Sequence, residues 1–440
     1  CQNPGIGYGK PFTFGPEKYA LSELAFEVYN ELDIVDPKFH FRVSENTPPD
    51  LLKQVSNLIC NGRTAVVMVN NDMQKSMLQA NGKTPEDADD YILIGCYEPA
   101  VMGVELNCSG AGTLNLAKAV EQVILSAPEH WQYEDVKQAY FIQLQKNLEQ
   151  CIADLKRFER LWSSSNPAPL FSGPMQSCHE RGKDISEAGA KYNTTGICCV
   201  GLPDAVDSLI AVGELFKRKL ITSISELKNI LLDNWQKHEL LRQIVLHKFP
   251  SWGNDNAEVD ALAVEIADAV GSWINKTDNT RNGKFQAALY AILPTAQLMG
   301  KYTGALPNGR LANTVLTMNT NCENGRDLNG VTAILRSAAK LPLHWFVNGT
   351  TLDITLHPSV VSAGKGSETV CSLIRSYFQL GGTTLQFNVF NRKMLLEAQQ
   401  NPAAYANLQI RVCGWNVRFI DLAPEEQQIF IDRANGGNSC

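Results

Sequence analysis

The chain has 440 residues, 44% of them hydrophobic and 19% charged, with a formal net charge of −7 and a pI near 5.6. This balance supports a large apolar core and excludes wholesale disorder. It provides no dense Lys/Arg run for nucleic acid or an anionic membrane, and no apolar run approaches the ~20 residues of a membrane-spanning helix.

The sequence opens on Cys1 and continues Gln2-Asn3-Pro4-Gly5-Ile6-Gly7-Tyr8-Gly9-Lys10, which reads as the interior of a longer chain. The expectation is therefore a fragment with no secretory signal, cytoplasmic in location. The twelve cysteines include no CxxC pair and no Cys/His cluster of zinc-finger spacing, so the sequence predicts a reducing compartment and no metal site. Most read as small buried hydrophobes, and the apolar neighbours of Cys198-Cys199 favour packing over redox work.

Taken in order, Tyr19 to Glu31 has helical periodicity, with Leu21, Leu24, Ala25 and Val28 on one face. Phe39 to Val43 alternates as a strand, and a helix follows from Pro48 to Cys60. Thr64 to Val69 is a continuous apolar run, as in a buried parallel strand. Thr84-Pro85-Glu86-Asp87 starts another helix, with Pro at the first helical position. Tyr91 to Ile94 reads as a second buried parallel strand running into Gly95-Cys96. In α/β folds active-site loops collect at such strand ends.

Long helical patterns occupy Asn115 to Ser126 and Val136 to Ser163. Ala190 to Gly201 reads as extended and Asp204 to Lys219 as helical. Ser223-Ile224-Ser225-Glu226 fits a capping box, opening a helix expected to reach His247. Ala257 to Lys276 is amphipathic, and Thr303 to Arg310 is loop chemistry. Helices are expected from Val331 to Ala339, Glu368 to Leu380 and Lys393 to Gln399, and strands from Leu385 to Val389 and Leu408 to Val412. The alternation of strand and helix gives an α/β class, and no repeat or flexible linker divides the chain.

Two stretches carry the chemistry. Gly95-Cys96-Tyr97-Glu98-Pro99 ends a strand, and Arg411-Val412-Cys413-Gly414-Trp415 lies near the C-terminus. Locally, Gly414 reads as a turn glycine with positive φ, and Cys96 as a structural cysteine. No Ser/His/Asp triad is legible, and the seven histidines are scattered.

Together the two stretches resemble those of the glycyl radical enzymes, the pyruvate formate-lyase-like superfamily. Glu180 to Asp184, Gly189 to Asn193, Gly304 to Arg310, Asn348-Gly349-Thr350, Leu356 to Ser359 and Gln386 to Val389 look like landmarks of that family, in the family's order. The resemblance implies the C-terminal part of a ten-stranded α/β barrel of two antiparallel-set half-barrels, surrounded by helices. Residues 1–310 would be the barrel part and 311–440 the glycine radical part. Such a part alone would expose an apolar edge.

By the same resemblance, Gly414 stores an unpaired electron stabilised by its flanking amide nitrogen and carbonyl. Cys96 becomes the thiyl oxidant, a role that needs hydrogen on sulfur and exclusion of water. Glu98 acts as base or proton shuttle. The residue before Cys96 is Gly95, not a second cysteine, so the loop is similar to that of the eliminating and decarboxylating branch. Formate acetyltransferase-type acyl cleavage and a catalytically silent member are the alternatives. The substrate would be a small polar metabolite, with Phe171, Ser172 and Asn193 as pocket candidates.

The radical would be installed by a separate S-adenosylmethionine/iron–sulfur activating enzyme, so the chain itself binds no cofactor. The full-length protein would be an oxygen-sensitive homodimer of anaerobic metabolism. Cys413 and Trp415 depart from the family's glycine loop.

Overall fold

The structure, a computed structural model, describes residues 12–32, 35–362 and 364–436, so Cys1 and the opening stretch Gln2 to Lys10 lie outside the described residues. The described strands are β1 (Phe12–Phe14), β2 (Phe39–Val43), β3 (Val66–Asn70), β4 (Tyr91–Ile94), β5 (Glu98–Val101) and β6 (Glu105–Asn115), followed by β7 (Tyr192–Val200), β8 (Phe285–Ala288), β9 (Leu352–Leu356), β10 (Thr384–Val389), β11 (Gln409–Val412) and β12 (Trp415–Arg418).

Eight strands build a wall. β1, β2 and β3 are mutually parallel, β3 pairs antiparallel with β10, and β10 is parallel to β9. β6, β7 and β8 form a second parallel sheet, joined toward β9 by a parallel bridge between Leu289 and Thr350. Three strands thus run one way and five the other, meeting at the β3–β10 seam. The two remaining pairs, β4–β5 and β11–β12, are separate antiparallel hairpins.

Strand alternation sorts side chains to the two faces of this wall. Phe39, Phe41, Val66, Met68, Ile197, Cys199, Ile354 and Phe387 join the core beneath the helices. Helices Pro49–Cys60 and Gly366–Gln379 pack together over one sheet, and Leu202–Lys217 and Ala257–Asn275 pack together over the other. The intervening residues Val67, Val69, Cys198 and Ala288 face inward, into a cluster that holds Cys96, Tyr97, Tyr290, Val412 and Cys413. Lys38, Asp353, Gln386 and Asn388 have the same inward parity. The wall therefore has an apolar outer face and a mixed inner face that surrounds the hairpin tips.

Several expectations are corrected. β4 is not a parallel wall strand: it folds back on β5, with Ile94 opposite Glu98. Gly95 at φ +54° reverses the chain, and Glu98 closes the turn from within. The face of helix Ala20–Leu32 is also reversed. Phe26 and Tyr29 are buried against the aromatic cluster of β1 and β2, while Leu21 and Leu24 are 73% and 55% exposed. Two rings bury more area than the leucine stripe would, and ring pairs add specific contacts.

The helix opened by Ser223 stops at Leu232 and restarts at Glu239. Asn234 and Trp235 adopt φ of 51° and 64° between them, so that the Trp235 indole is buried and donates to Leu306 O at 3.2 Å. β6 carries Ser109-Gly110-Ala111-Gly112, which has little strand propensity alone; pairing with β7 holds it extended, with a register shift between Cys108 and Gly112. β9 and β10, from the later part of the chain, share a sheet with β3.

Candidate active site

The Cys96 loop is the three-residue tip of the β4–β5 hairpin. Glu98 Oε2 accepts from Cys96 N and Tyr97 N, each at 2.6 Å, and Oε1 accepts from the Tyr290 hydroxyl at 2.6 Å. Of the roughly four lone-pair positions of a carboxylate, three are thus occupied, leaving one free for a further donor. Glu98 is buried, as are Cys96 and Tyr97.

The second tip is the two-residue turn Cys413-Gly414 between β11 and β12, in which Val412 pairs with Trp415. Both residues have positive φ, 29° and 80°, the hairpin conformation in which glycine is favoured. Asn388 on β10 steadies the strand below: its Oδ1 accepts from Arg411 N at 2.8 Å and its Nδ2 donates to Arg411 O at 3.4 Å.

The two tips meet inside the wall. A Cβ placed on Gly414 would overlap Cys96 Sγ and lie 3.0 Å from Cys96 Cβ. Only glycine fits here, both for φ and for space. Tyr97 Oη accepts from Gly414 N at 2.8 Å and is 3.0 Å from Gln386 Oε1, to which it donates; Gln386 Oε1 also accepts from Arg411 Nε at 2.7 Å. Lys38 Nζ, at the foot of β2, donates to Gly414 O at 2.6 Å and to Gly95 O. One buried ammonium thus bridges both loops.

Electrostatics keep the thiols protonated. Burial, with the nearby Glu98 carboxylate, pushes Cys96 up to about 12. Burial also raises Cys413 well above the usual thiol range, and its Sγ donates to Asn319 Oδ1 at 3.3 Å. Burial, reinforced by the Arg411 guanidinium, pulls Lys38 down to about 8.

Beside Cys96 lies a cavity of about 470 Å³. Cys96, Glu98, Ser109, Thr113, Cys198 and Tyr290 line it, with Ile292 and Thr295. It has the size and mixed polarity of a small-molecule site. Among the described residues, no group of three or more His, Cys, Asp or Glu is arranged to hold a metal ion.

The structure therefore brings Gly414, Cys96 and Glu98 to one point. It does not bring Phe171, Ser172 or Asn193 to the cavity. Phe171 is 58% exposed on the short helix Pro169–Ser172. Ser172 Oγ donates to Asp184 Oδ2 at 2.8 Å, in a local cap. Asn193 Nδ2 donates to Ala190 O at 2.8 Å, and the residue pairs with Leu106 between β6 and β7. Ser172 Oγ and Asn193 Nδ2 are thus engaged locally, and Asn193 Oδ1 is buried without a hydrogen-bond partner.

Sequence reasoning assigned no role to Lys38, Tyr97, Tyr290 or Cys198. The signal available was strand parity: Lys38 alternates with Phe39 and Phe41, as Cys198 does with Ile197 and Cys199, and so must face the other side.

The chain is similar to known proteins along most of its length. Residues 19–298 match a family described as pyruvate formate lyase-like, and residues 316–420 match one described as glycine radical. The chain is 31% identical to trans-4-hydroxy-L-proline dehydratase of Clostridioides difficile, over 94% of this chain and 54% of that one. It is 26% identical to isethionate sulfite-lyase of Oleidesulfovibrio alaskensis, over 94% and 52%. Its fold matches the B12-independent glycerol dehydratase of Clostridium butyricum with a TM-score of 0.88 at 30% identity, covering 95% of this chain and 55% of that one. The chain thus spans about half the length of the relatives it matches.

Proposed function

The chain belongs to the glycyl radical enzymes of the pyruvate formate lyase-like family, and from that premise we propose that it is the radical-bearing part of a lyase acting on a small polar metabolite. One observation carries the reading: the Gly414 backbone abuts Cys96 Sγ, and Cys96 opens onto a cavity that Glu98 also lines. A hydrogen atom can then pass from Cys96 to Gly414 on one side and from substrate to Cys96 on the other.

The site suits an elimination. Activation removes one α-hydrogen from Gly414; Gly414 then takes the Cys96 sulfur hydrogen, leaving a thiyl. The thiyl takes a hydrogen atom from a substrate carbon that bears a hydroxyl. Glu98, through its free lone pair, accepts the hydroxyl proton, and the adjacent carbon–heteroatom bond breaks with its electron pair as the carbonyl forms. The product radical takes hydrogen back from Cys96, which regenerates the thiyl. Where the leaving group is hydroxide, the Glu98 proton leaves with it as water.

Burial keeps the hydrogen on the Cys96 sulfur and shields the reactive intermediates from side reactions. Relatives named as a dehydratase and as a sulfite-lyase support elimination, and one named as an indoleacetate decarboxylase keeps decarboxylation within the same reading. The loop itself argues against a Cys–Cys arrangement, because a Cβ at position 95 would lie 3.1 Å from both Glu98 carboxylate oxygens at a φ of +54°. The partner that installs the radical would be a radical S-adenosylmethionine activating enzyme.

The test is anaerobic activation of the protein carrying this chain, followed by EPR. A glycine-centred doublet in the wild type, absent in Gly414→Ala, is expected, with oxygen cleaving the activated chain at Gly414. Activity that survives Cys96→Ser would overturn the assignment of the thiyl.

A further inference from the structure

Gly414 is hydrogen-bonded on both sides of its α-carbon in a manner that ordinary loop packing does not require. Its N–H is donated to the Tyr97 hydroxyl at 2.8 Å, and its carbonyl accepts from the Lys38 ammonium at 2.6 Å. We propose that Tyr97 and Lys38 form a push–pull pair that sets the stability of the radical on Gly414 by polarising its two flanking peptide groups. The inference rests on the reading of Gly414 as the radical residue.

The physical basis is the resonance that stabilises such a radical. The amide nitrogen releases electron density toward the α-carbon, and the carbonyl withdraws it. An acceptor on the N–H makes the nitrogen more electron-rich, and a cation on the carbonyl oxygen makes that group more withdrawing. Both contacts act in the same sense, and both are stronger in a buried site than in water. A hydrogen bond from a charged donor is also roughly twice as strong as a neutral one.

The surroundings make a fortuitous pairing an inadequate account. Lys38 is 1% exposed, and its ammonium donates to backbone carbonyls rather than to a carboxylate. A buried ammonium is costly unless its charge is used, and two of its three donors are spent on Gly95 O and Gly414 O. Tyr97 is fully buried, and its own proton is directed to Gln386 Oε1 at 3.0 Å, which leaves the oxygen lone pair to face Gly414 N. Gln386 is in turn fixed by Arg411 Nε at 2.7 Å. The acceptor is therefore pre-oriented, as a tuning group must be. Lys38 and Tyr97 are positioning residues in this account, since neither touches the cavity.

The experiment compares the activated wild type with Lys38→Met, Tyr97→Phe, the double variant and Lys38→Arg, reading the EPR doublet and its anaerobic decay. Withdrawing either contact leaves more spin on the α-carbon, so the α-hydrogen splitting should widen in each single variant and most in the double variant. Radical lifetime should fall by about tenfold in Lys38→Met, the scale of one charged hydrogen bond, and less in Tyr97→Phe. Lys38→Arg, which keeps a cation, should restore the narrower splitting.

A purely structural clamp would lower the number of radicals formed but leave the splitting of those that form unchanged. That result would overturn the proposal. A wild type with no doublet would instead defeat the Gly414 reading itself, so the two failures are distinguishable.

Discussion

The Cys96 and Gly414 hairpins meet tip to tip but are held by different means. The Cys96 loop is stapled from within: Glu98, two residues on, accepts two of the loop's own N–H groups and anchors to Tyr290. The Gly414 loop has no such internal staple. Its peptide groups are bonded to Tyr97, more than three hundred residues away in sequence, and to Lys38 on β2. The thiol is thus placed by local sequence, whereas the glycine is placed by contacts with distant parts of the chain. Substitutions in the first hairpin should act on chemistry and local stability, and those around the second on whether a radical forms and lasts.

The largest effect tests the contact itself. Gly414→Ala places a methyl group on Cys96 Sγ at a φ of 80°, so the doublet and all turnover should vanish while far-UV circular dichroism retains the fold. Glu98→Gln comes next. An amide oxygen can still accept from Cys96 N and Tyr97 N, so the loop and the radical yield should persist. Loss of the proton acceptor should lower kcat by roughly 10²–10⁴-fold. A parallel loss of radical would show that Glu98 acts only as a staple.

A third test uses pH. Lys38 titrates near 8 in the folded protein against an ordinary value of 10.5, so the folded state sheds its proton first. Stability gains from this group as pH rises through that window, by about 3 kcal/mol. Cys96 has the opposite sign: with a folded value of about 12 against 9.0, it costs stability as pH rises between those values. Chemical denaturation of wild type and Lys38→Met from pH 8 to 10.5 should show the wild type gaining relative to the variant.

The smallest effect is expected at Gly95. Gly95→Ala strains a φ of 54° and crowds the Glu98 carboxylate at 3.1 Å, costing about 1 kcal/mol or somewhat more in urea denaturation. Cys413→Ala should cost about as much through its lost hydrogen bond to Asn319. Because its thiol is directed at Asn319, radical lifetime should not change; a longer lifetime in this variant would identify Cys413 as a quencher.

Much of the fold was legible because local rules decide it. Asn115, Ser223, Asn256 and Asn391 cap helices close to where the sequence pattern starts them, and β2, β7, β10 and β11 follow the expected extended runs. The illegible parts are those in which tertiary pairing overrides propensity. Glycine-rich β6 is extended only because β7 lies beside it. The buried face of helix Ala20–Leu32 is chosen by the rings of β1 and β2, and Trp235 breaks a helix to reach Leu306.

What the sequence by itself determined is the kind of residue at each tip: a glycine at a turn, a thiol flanked by Gly95 and Glu98, and a carboxylate close enough to bond its own loop. Such choices act over a few residues, within reach of turn geometry and a single side chain. Only the tertiary structure decided that Gly414 rests on Cys96, that Lys38 and Tyr97 bracket it, and that Tyr290 and Cys198 face the cavity while Phe171, Ser172 and Asn193 do not. Those contacts join strands from distant parts of the chain. They exist because the assembled wall packs its inward side chains around the two hairpins, a consequence that no local pattern encodes.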